Sequence, residues 1–217
     1  MTGKRTYEQS LTFFKRDTAK RGEGREFYKT NPEDIEKIVN ALLTWHPRLH
    51  EKLWLDPCAG DGVWGKVIEK HGVTCLSFDI EPKSSSVLKQ HFFDFNDVRE
   101  NLFIIGNPPF SMVEKFVEKA LTLVQECYFL GGSQLLTGRL SSKVCELHRF
   151  EGREGNQKDK RSKLIFEDTL GKKVPVWCCG ALFDRNVHKK FSRTGDGVSF
   201  ATSVKSVCFE DERVIAL

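Results

Sequence analysis

The sequence predicts an α/β sandwich built on a mostly parallel sheet. Short apolar runs at 53–55, 73–78, 102–105 and 127–130 alternate with segments whose apolar residues recur at helical spacing. Strands and helices in that alternation join as parallel strands with crossover helices packed on the sheet. The 217 residues carry no internal repeat and no low-complexity linker, which suits one domain with a real core.

Taken in order, residues 1–26 are polar and charged around an apolar island of Leu11, Phe13 and Phe14. They read as a flexible basic segment preceding a single domain over 27–217. Asn31 is placed to cap a helix that Pro32 opens, with Glu33 and Asp34 at its positive end. Ile35, Ile38, Val39, Leu42 and Leu43 fall on one face of that helix, and Phe27-Tyr28-Lys29-Thr30 is expected as a loop near its start. Leu53–Leu55 reads as a buried strand, and Val63, Trp64, Val67 and Ile68 as the core face of a helix stopped by Gly72. Val73–Phe78 is the second strand, His91–Phe95 a third strand and turn, Leu102–Ile105 the fourth and Cys127–Leu130 the fifth. Between the last two, Ser111-x-x-Glu114 has the form of a capping box. Beyond Gly131-Gly132 the pattern predicts a short helix over Ser141–His148 and a mobile charged loop near 149–163. Strand-like runs follow at Lys163–Glu167, Val174–Phe183 and Ser203–Phe209, the last two expected as an antiparallel edge.

Net charge is only +4, so any affinity for polyanions rests on local clusters. Residues 1–29 hold eight basic side chains against four acidic ones, and residues 153–163 hold five against two. Lys20, Arg21, Arg25 and Lys29 in the first, with Arg153, Lys158, Lys160 and Arg161 in the second, are the candidate phosphate contacts. The seven cysteines form no CxxC pair and suit a reducing compartment rather than a disulfide framework. The six histidines are scattered without ligand spacing, so no metal is expected. No apolar run reaches membrane-span length, and the chain is expected to be soluble and intracellular.

Asn107-Pro108-Pro109-Phe110 follows the fourth strand and the single Gly106. It therefore sits at a strand's carboxyl end, where open α/β sheets bind ligands. Two prolines stiffen the tetrapeptide. The Asn107 side-chain carbonyl and the Pro108 main-chain carbonyl can both accept from one planar NH2 group, and Phe110 can stack on a ring. Such a pair of acceptors draws an exocyclic amine toward tetrahedral geometry and frees its lone pair to attack a methyl donor. An unpaired adenine swung out of its strand presents such a group.

Gly60-x-Gly62-x-x-Gly65 fits a nucleotide-binding turn, with Asp79 seventeen residues beyond Gly62 at the end of the next strand. Asp79 there suits a ribose diol, which NAD and S-adenosylmethionine both carry. Asp56, before the glycines, would face the pyrophosphate of a dinucleotide but suits the α-ammonium of a methionine moiety. The acid favours S-adenosylmethionine.

Asp56-Pro57-Cys58-Ala59-Gly60-Asp61-Gly62 with Asn107-Pro108-Pro109-Phe110 resembles the paired signatures of class I S-adenosylmethionine-dependent amino-methyltransferases, above all the N6-adenine type. Residues 27–121 carry the resemblance, and Val174-Pro175-Val176-Trp177-Cys178-Cys179 is similar to the aromatic strand near the end of such domains. It implies a Rossmann-like sandwich with a seven-stranded, mostly parallel sheet and an antiparallel edge. It also implies that Tyr28 and Thr30 close over the methionine end, that Asp56, Cys58, Gly60 and Gly62 surround it, and that Asp79 takes the ribose. Asp94 and Phe95 would flank the adenine, and Asn107, Pro108, Pro109 and Phe110 would form the catalytic loop. The substrate expected is nucleic acid, DNA ahead of RNA, with a protein partner available to supply target specificity because no long recognition region is evident. RNA adenine and protein glutamine methylation, and a non-catalytic subunit of the same fold, remain the alternatives.

Overall fold

The structure, a computed structural model, describes residues 28–132, 135, 139–151, 163–167, 173–187, 192–194, 197–199 and 203–208. In chain order the elements are β1 (Lys29–Thr30), α1 (Pro32–Trp45), β2 (Leu53–Asp56), α2 (Val63–Lys70), β3 (Cys75–Asp79), β4 (Leu88–Lys89) and β5 (Leu102–Gly106). There follow α3 (Val113–Leu123), β6 (Glu126–Gly131), β7 (Val144–Glu151), β8 (Lys163–Glu167), β9 (Lys173–Trp177), β10 (Cys179–Asp184), β11 (Ser192–Thr194), β12 (Gly197–Ser199) and β13 (Ser203–Cys208).

Among the described residues the main sheet has eight strands in the order β13-β7-β10-β6-β5-β2-β3-β4. β10 runs antiparallel to both its neighbours, and every other pair is parallel. The sheet is thus mostly parallel, as the alternation predicts. Its antiparallel strand lies inside, not at the edge, and the edge strand β13 is parallel to β7. Composition explains the swap. Cys179, Gly180, Ala181, Leu182 and Phe183 are all buried, which suits an interior strand, whereas β13 presents an exposed Ser203 and a half-buried Lys205.

Successive residues of the central strands feed opposite faces of the sheet. Trp54, Phe103, Ile105, Tyr128, Leu130 and Leu182 pack under α1 and α2. Leu55, Leu102, Ile104, Cys127, Phe129, Ala181 and Phe183 pack with α3 on the other side. Burial on both faces accounts for the unbroken apolar runs. Asn31 caps α1 as expected, its Oδ1 accepting from the Glu33 amide at 3.1 Å.

Four local expectations are corrected. α3 starts at Val113 with Met112 at its N-cap rather than Ser111, because the Met112 amide donates to the Pro109 carbonyl (2.8 Å) and turns the chain first. Phe92–Asp94 form one 3₁₀ turn instead of a strand, with Phe92 stacked on Phe116 at 5.3 Å. Residues 144–151 are strand, not helix: Val144, Leu147 and His148 recur at helical spacing, but ladder partners on both sides override the pattern. Lys29–Thr30 form a strand, not a loop, and pair with Glu167 and Phe166 of β8 in a separate β1-β8-β9 sheet. Of the expected mobile loop, residues 149–151 belong to β7 and 163 to β8, while 152–162 lie outside the described residues. The basic segment 1–26 lies outside them too.

Candidate active site

A cavity of about 440 Å³ opens at the carboxyl ends of β2, β3 and β5, within the range of small-molecule sites. Its wall comes from the turn after β2 (Pro57 to Asp61), the turn after β3 (Asp79 to Glu81, and Lys83), the 3₁₀ turn, Asn107, Pro109 and β1. The turn after β2 is built to bring main chain close. Gly60 and Gly62 have φ of 55° and 78°, and a Cβ on Gly62 would come within 3.0 Å of Val87. Asp79 holds the turn from across the sheet: its carboxylate accepts from the Gly60 amide (2.8 Å) and from the Glu81 amide (2.8 Å). Burial pushes the Asp79 carboxyl up, and the Gly60 amide offsets part of that.

Asp56 ends β2 with no exposed surface, and its neighbours Pro57 and Cys58 supply the wall in front of it. Its Oδ1 accepts from the Cys58 amide at 3.1 Å, while Oδ2 is buried with no partner among the described residues. Burial is the main reason its carboxyl is pushed up to about 7, with nearby Asp79 and Asp61 adding to it. Gly106 leaves room for this carboxylate, since a Cβ there would lie 2.8 Å from Oδ1. Burial, with Asp56 beside it, pushes the Cys58 thiol well up, which disfavours a thiolate there.

Asn107 follows β5 directly. Its Nδ2 donates to the Tyr28 carbonyl (3.3 Å) and to Thr30 Oγ1 (3.2 Å). Its Oδ1 is buried and has no hydrogen-bond partner among the described residues. The Tyr28 carbonyl can only accept, so the end of the amide facing it must be nitrogen. Asn107, a residue of the cavity wall, therefore carries an oriented acceptor that no described residue satisfies.

Of the other residues singled out from sequence, Tyr28, Thr30, Cys58, Gly60, Asp79 and Pro109 line the cavity with Asn107. Pro108 is buried, and Phe110 meets Phe166 edge-on at 6.2 Å beside Tyr28, which meets Phe166 at 6.3 Å. Phe95 packs edge-on against Phe78 at 5.3 Å. Asp94 is 84% exposed, on a shallow depression with Ile80, Lys89, Gln90 and His91 outside the main cavity. Lys29 lies in the cavity wall, where its ammonium pairs with Asp61 at 2.9 Å. Lys20, Arg21, Arg25, Arg153, Lys158, Lys160 and Arg161 lie outside the described residues.

Sequence reasoning missed several wall residues. Trp64 reads as core by helical spacing, yet it lines the cavity, and its indole Nε1 is buried with no partner among the described residues. Phe93 and Ile80 also line the cavity. Ile80 is an apolar residue left 53% exposed directly after Asp79, and its place after a strand-ending acid is the signal that finds it.

No protein-family model and no curated protein matches the chain. Solved structures do. A protein from Pyrococcus horikoshii described as an RNA methyltransferase superposes with a TM-score of 0.56 at 15% identity, over 73% of this chain and 86% of that one. A Listeria monocytogenes protein described as a class I S-adenosylmethionine-dependent methyltransferase gives 0.51 at 9% identity, over 92% and 72%. A type I restriction-modification methyltransferase subunit from Streptococcus thermophilus gives 0.50 at 8% identity, over 86% of this chain and 48% of that one. The chain thus has the Rossmann-like class I methyltransferase fold. Among the described residues no helix is long and apolar enough to cross a membrane.

Proposed function

We propose that the protein is an S-adenosylmethionine-dependent methyltransferase acting on N6 of adenine in nucleic acid. The observation that carries this reading is the Asn107 carboxamide, with its nitrogen tied to Tyr28 and Thr30 and its buried oxygen an acceptor without a partner among the described residues. A buried acceptor without a donor costs about 1–3 kcal/mol, which a ligand amine would recover. Similarity to nucleic-acid methyltransferases, in fold, supports the substrate class.

The residues fit the cofactor. Asp56 Oδ2 is a buried carboxyl oxygen with no partner among the described residues, suited once ionised to an α-ammonium; Asp79 suits a ribose diol, and the Gly60 and Gly62 turn admits main chain at close range. Bound there, S-adenosylmethionine supplies an electrophilic methyl group on its sulfonium. Asn107 Oδ1 and the Pro108 carbonyl accept from the target NH2 and turn its lone pair toward that methyl. Phe110 holds the base face and Tyr28 covers the methionine end, while Asp94 and Phe95, which lie outside the cavity wall, meet the cofactor's adenine only if their turn shifts toward it. No basic side chain is required, because the amine loses its proton to solvent only after it has gained the methyl. The basic clusters within residues 1–29 and 153–163 supply affinity for phosphates, with a protein partner adding target choice.

The test is transfer of labelled methyl from S-adenosylmethionine to duplex DNA, single-stranded DNA, structured RNA and a protein extract, followed by nucleoside analysis. N6-methyladenine in either polymer supports the reading and decides between DNA and RNA. Label confined to protein would overturn the nucleic-acid assignment in favour of amide methylation.

A further inference from the structure

We infer that Thr30 is a positioning residue for the transfer: its hydroxyl, with the Tyr28 carbonyl, locks the Asn107 carboxamide in the one orientation that offers an acceptor to the cavity. The inference rests on the proposed role of Asn107.

A carboxamide has two ends of nearly equal shape. Turned by 180°, Asn107 would aim an NH2 at an incoming amine, and donor would face donor. Its two amide hydrogens must therefore both be taken on the protein side. The Tyr28 carbonyl takes one at 3.3 Å, and Thr30 Oγ1 takes the other at 3.2 Å. Thr30 is only 2% exposed, and Thr30→Val fills the hydroxyl's place with a methyl, leaving little room for a substitute water. The main chain that carries the hydroxyl is itself held in place, because Thr30 pairs with Phe166 and Lys29 with Glu167 in the β1–β8 ladder. On the same strand, Lys29 ties to Asp61 of the glycine turn at 2.9 Å. β1 thus bridges the turn after β2 and the loop after β5, and Thr30 carries its contact to the reacting end. This role differs from a direct grip on the cofactor, the role its place in the sequence implies.

The experiment compares Thr30→Val, which keeps shape and removes the hydroxyl, with Thr30→Ser, which keeps the hydroxyl. The first readout needs no activity: exchange of the Asn107 side-chain NH2 in 15N-labelled protein, its resonance identified by loss in Asn107→Asp. Thr30→Val should exchange about ten-fold faster than wild type and Thr30→Ser within about two-fold, as expected for one buried hydrogen bond. Equal protection in all three overturns the inference. The second readout is single-turnover methyl transfer to the polymer that the wild type labels. Thr30→Val should slow the step about ten-fold or more while S-adenosylmethionine affinity stays within about two-fold, with Thr30→Ser near wild type. Weakened cofactor affinity with an unchanged step would make Thr30 a cofactor contact and overturn the inference. A wild type that labels no acceptor would sink the functional reading, and the exchange result would still decide the amide's anchoring.

Discussion

Asp56 shows at the scale of one residue how the site strains the fold. In the unfolded chain its carboxyl ionises near the ordinary value of 3.8, whereas burial in the folded protein pushes it up to about 7. Between these values the folded state holds a proton that the unfolded chain has released. Its contribution to stability therefore falls as pH rises from about 4 to about 7 and stays low above that. Asp56→Asn should raise the unfolding temperature at pH 8 by a few degrees, on the order of 1–2 kcal/mol, and change it little at pH 4. The same substitution should weaken S-adenosylmethionine binding. Wild-type affinity should itself rise as pH passes through about 7, since a ligand ammonium favours the ionised acid. Melts at both pH values and calorimetric titration test this pair, and an equal loss of stability at both would refute it. Asn107→Ala separates chemistry from binding. Transfer should fall by about 10²-fold or more, with cofactor affinity within about two-fold, measured by single-turnover assay and titration.

At the scale of elements, the interior antiparallel strand is a matter of steric fit. Gly180 of β10 lies beneath Tyr128 of β6, where an added Cβ would stand 1.7 Å from the phenol oxygen and 2.3 Å from Cζ. Tyr128 is fully buried and cannot swing away. Gly180→Ala should cost about 3 kcal/mol or more by overpacking, read as a lower urea midpoint at unchanged slope. A loss under about 0.5 kcal/mol would show that the ring repacks. This junction also marks the limit of sequence reading. The run Val174–Phe183 signals strand by composition alone, but the chain divides at Cys178 between β9 in the small sheet and β10 in the large one. Nothing in the spacing of a continuous apolar run states that its halves serve different sheets.

Across the whole molecule, Glu146 ties three distant parts of the chain together. Its carboxylate meets His46 beyond α1 (2.8 Å), His148 on β7 (3.4 Å) and Lys205 on the edge strand β13 (3.0 Å). Burial opposes its charge, but the hydrogen bonds from His148, His46 and Lys205 outweigh that and hold its carboxyl well below the ordinary 4.5. A depressed carboxyl contributes stability that is present above about pH 4.5 and lost as pH falls below it. Glu146→Gln should cost roughly 1–3 kcal/mol near pH 7 and flatten the acid limb of the stability profile, followed by urea titrations from pH 3 to 8. An unchanged acid limb would place the acid sensitivity elsewhere.

What the sequence by itself determined is local and periodic. The apolar runs 53–55 and 102–105, the glycine turn, Asp79 at the next strand end, Asn31 as a cap and the Asn107 loop are all set by a few neighbouring residues. Backbone sterics and hydrophobic period act over that range. What the tertiary structure alone decided is every feature that depends on distant partners. β7 is a strand because β10 and β13 flank it, although its own residues recur at helical spacing. Lys29 and Thr30 reach the site because β8, more than a hundred residues on, pairs with them. Trp64 reads as core from its period, and only the cavity beside it shows that it also forms the wall. The amide of Asn107 could be found by its place after a strand. Its orientation follows from Tyr28 and Thr30, nearly eighty residues away, because a carboxamide takes its direction from whatever accepts its hydrogens.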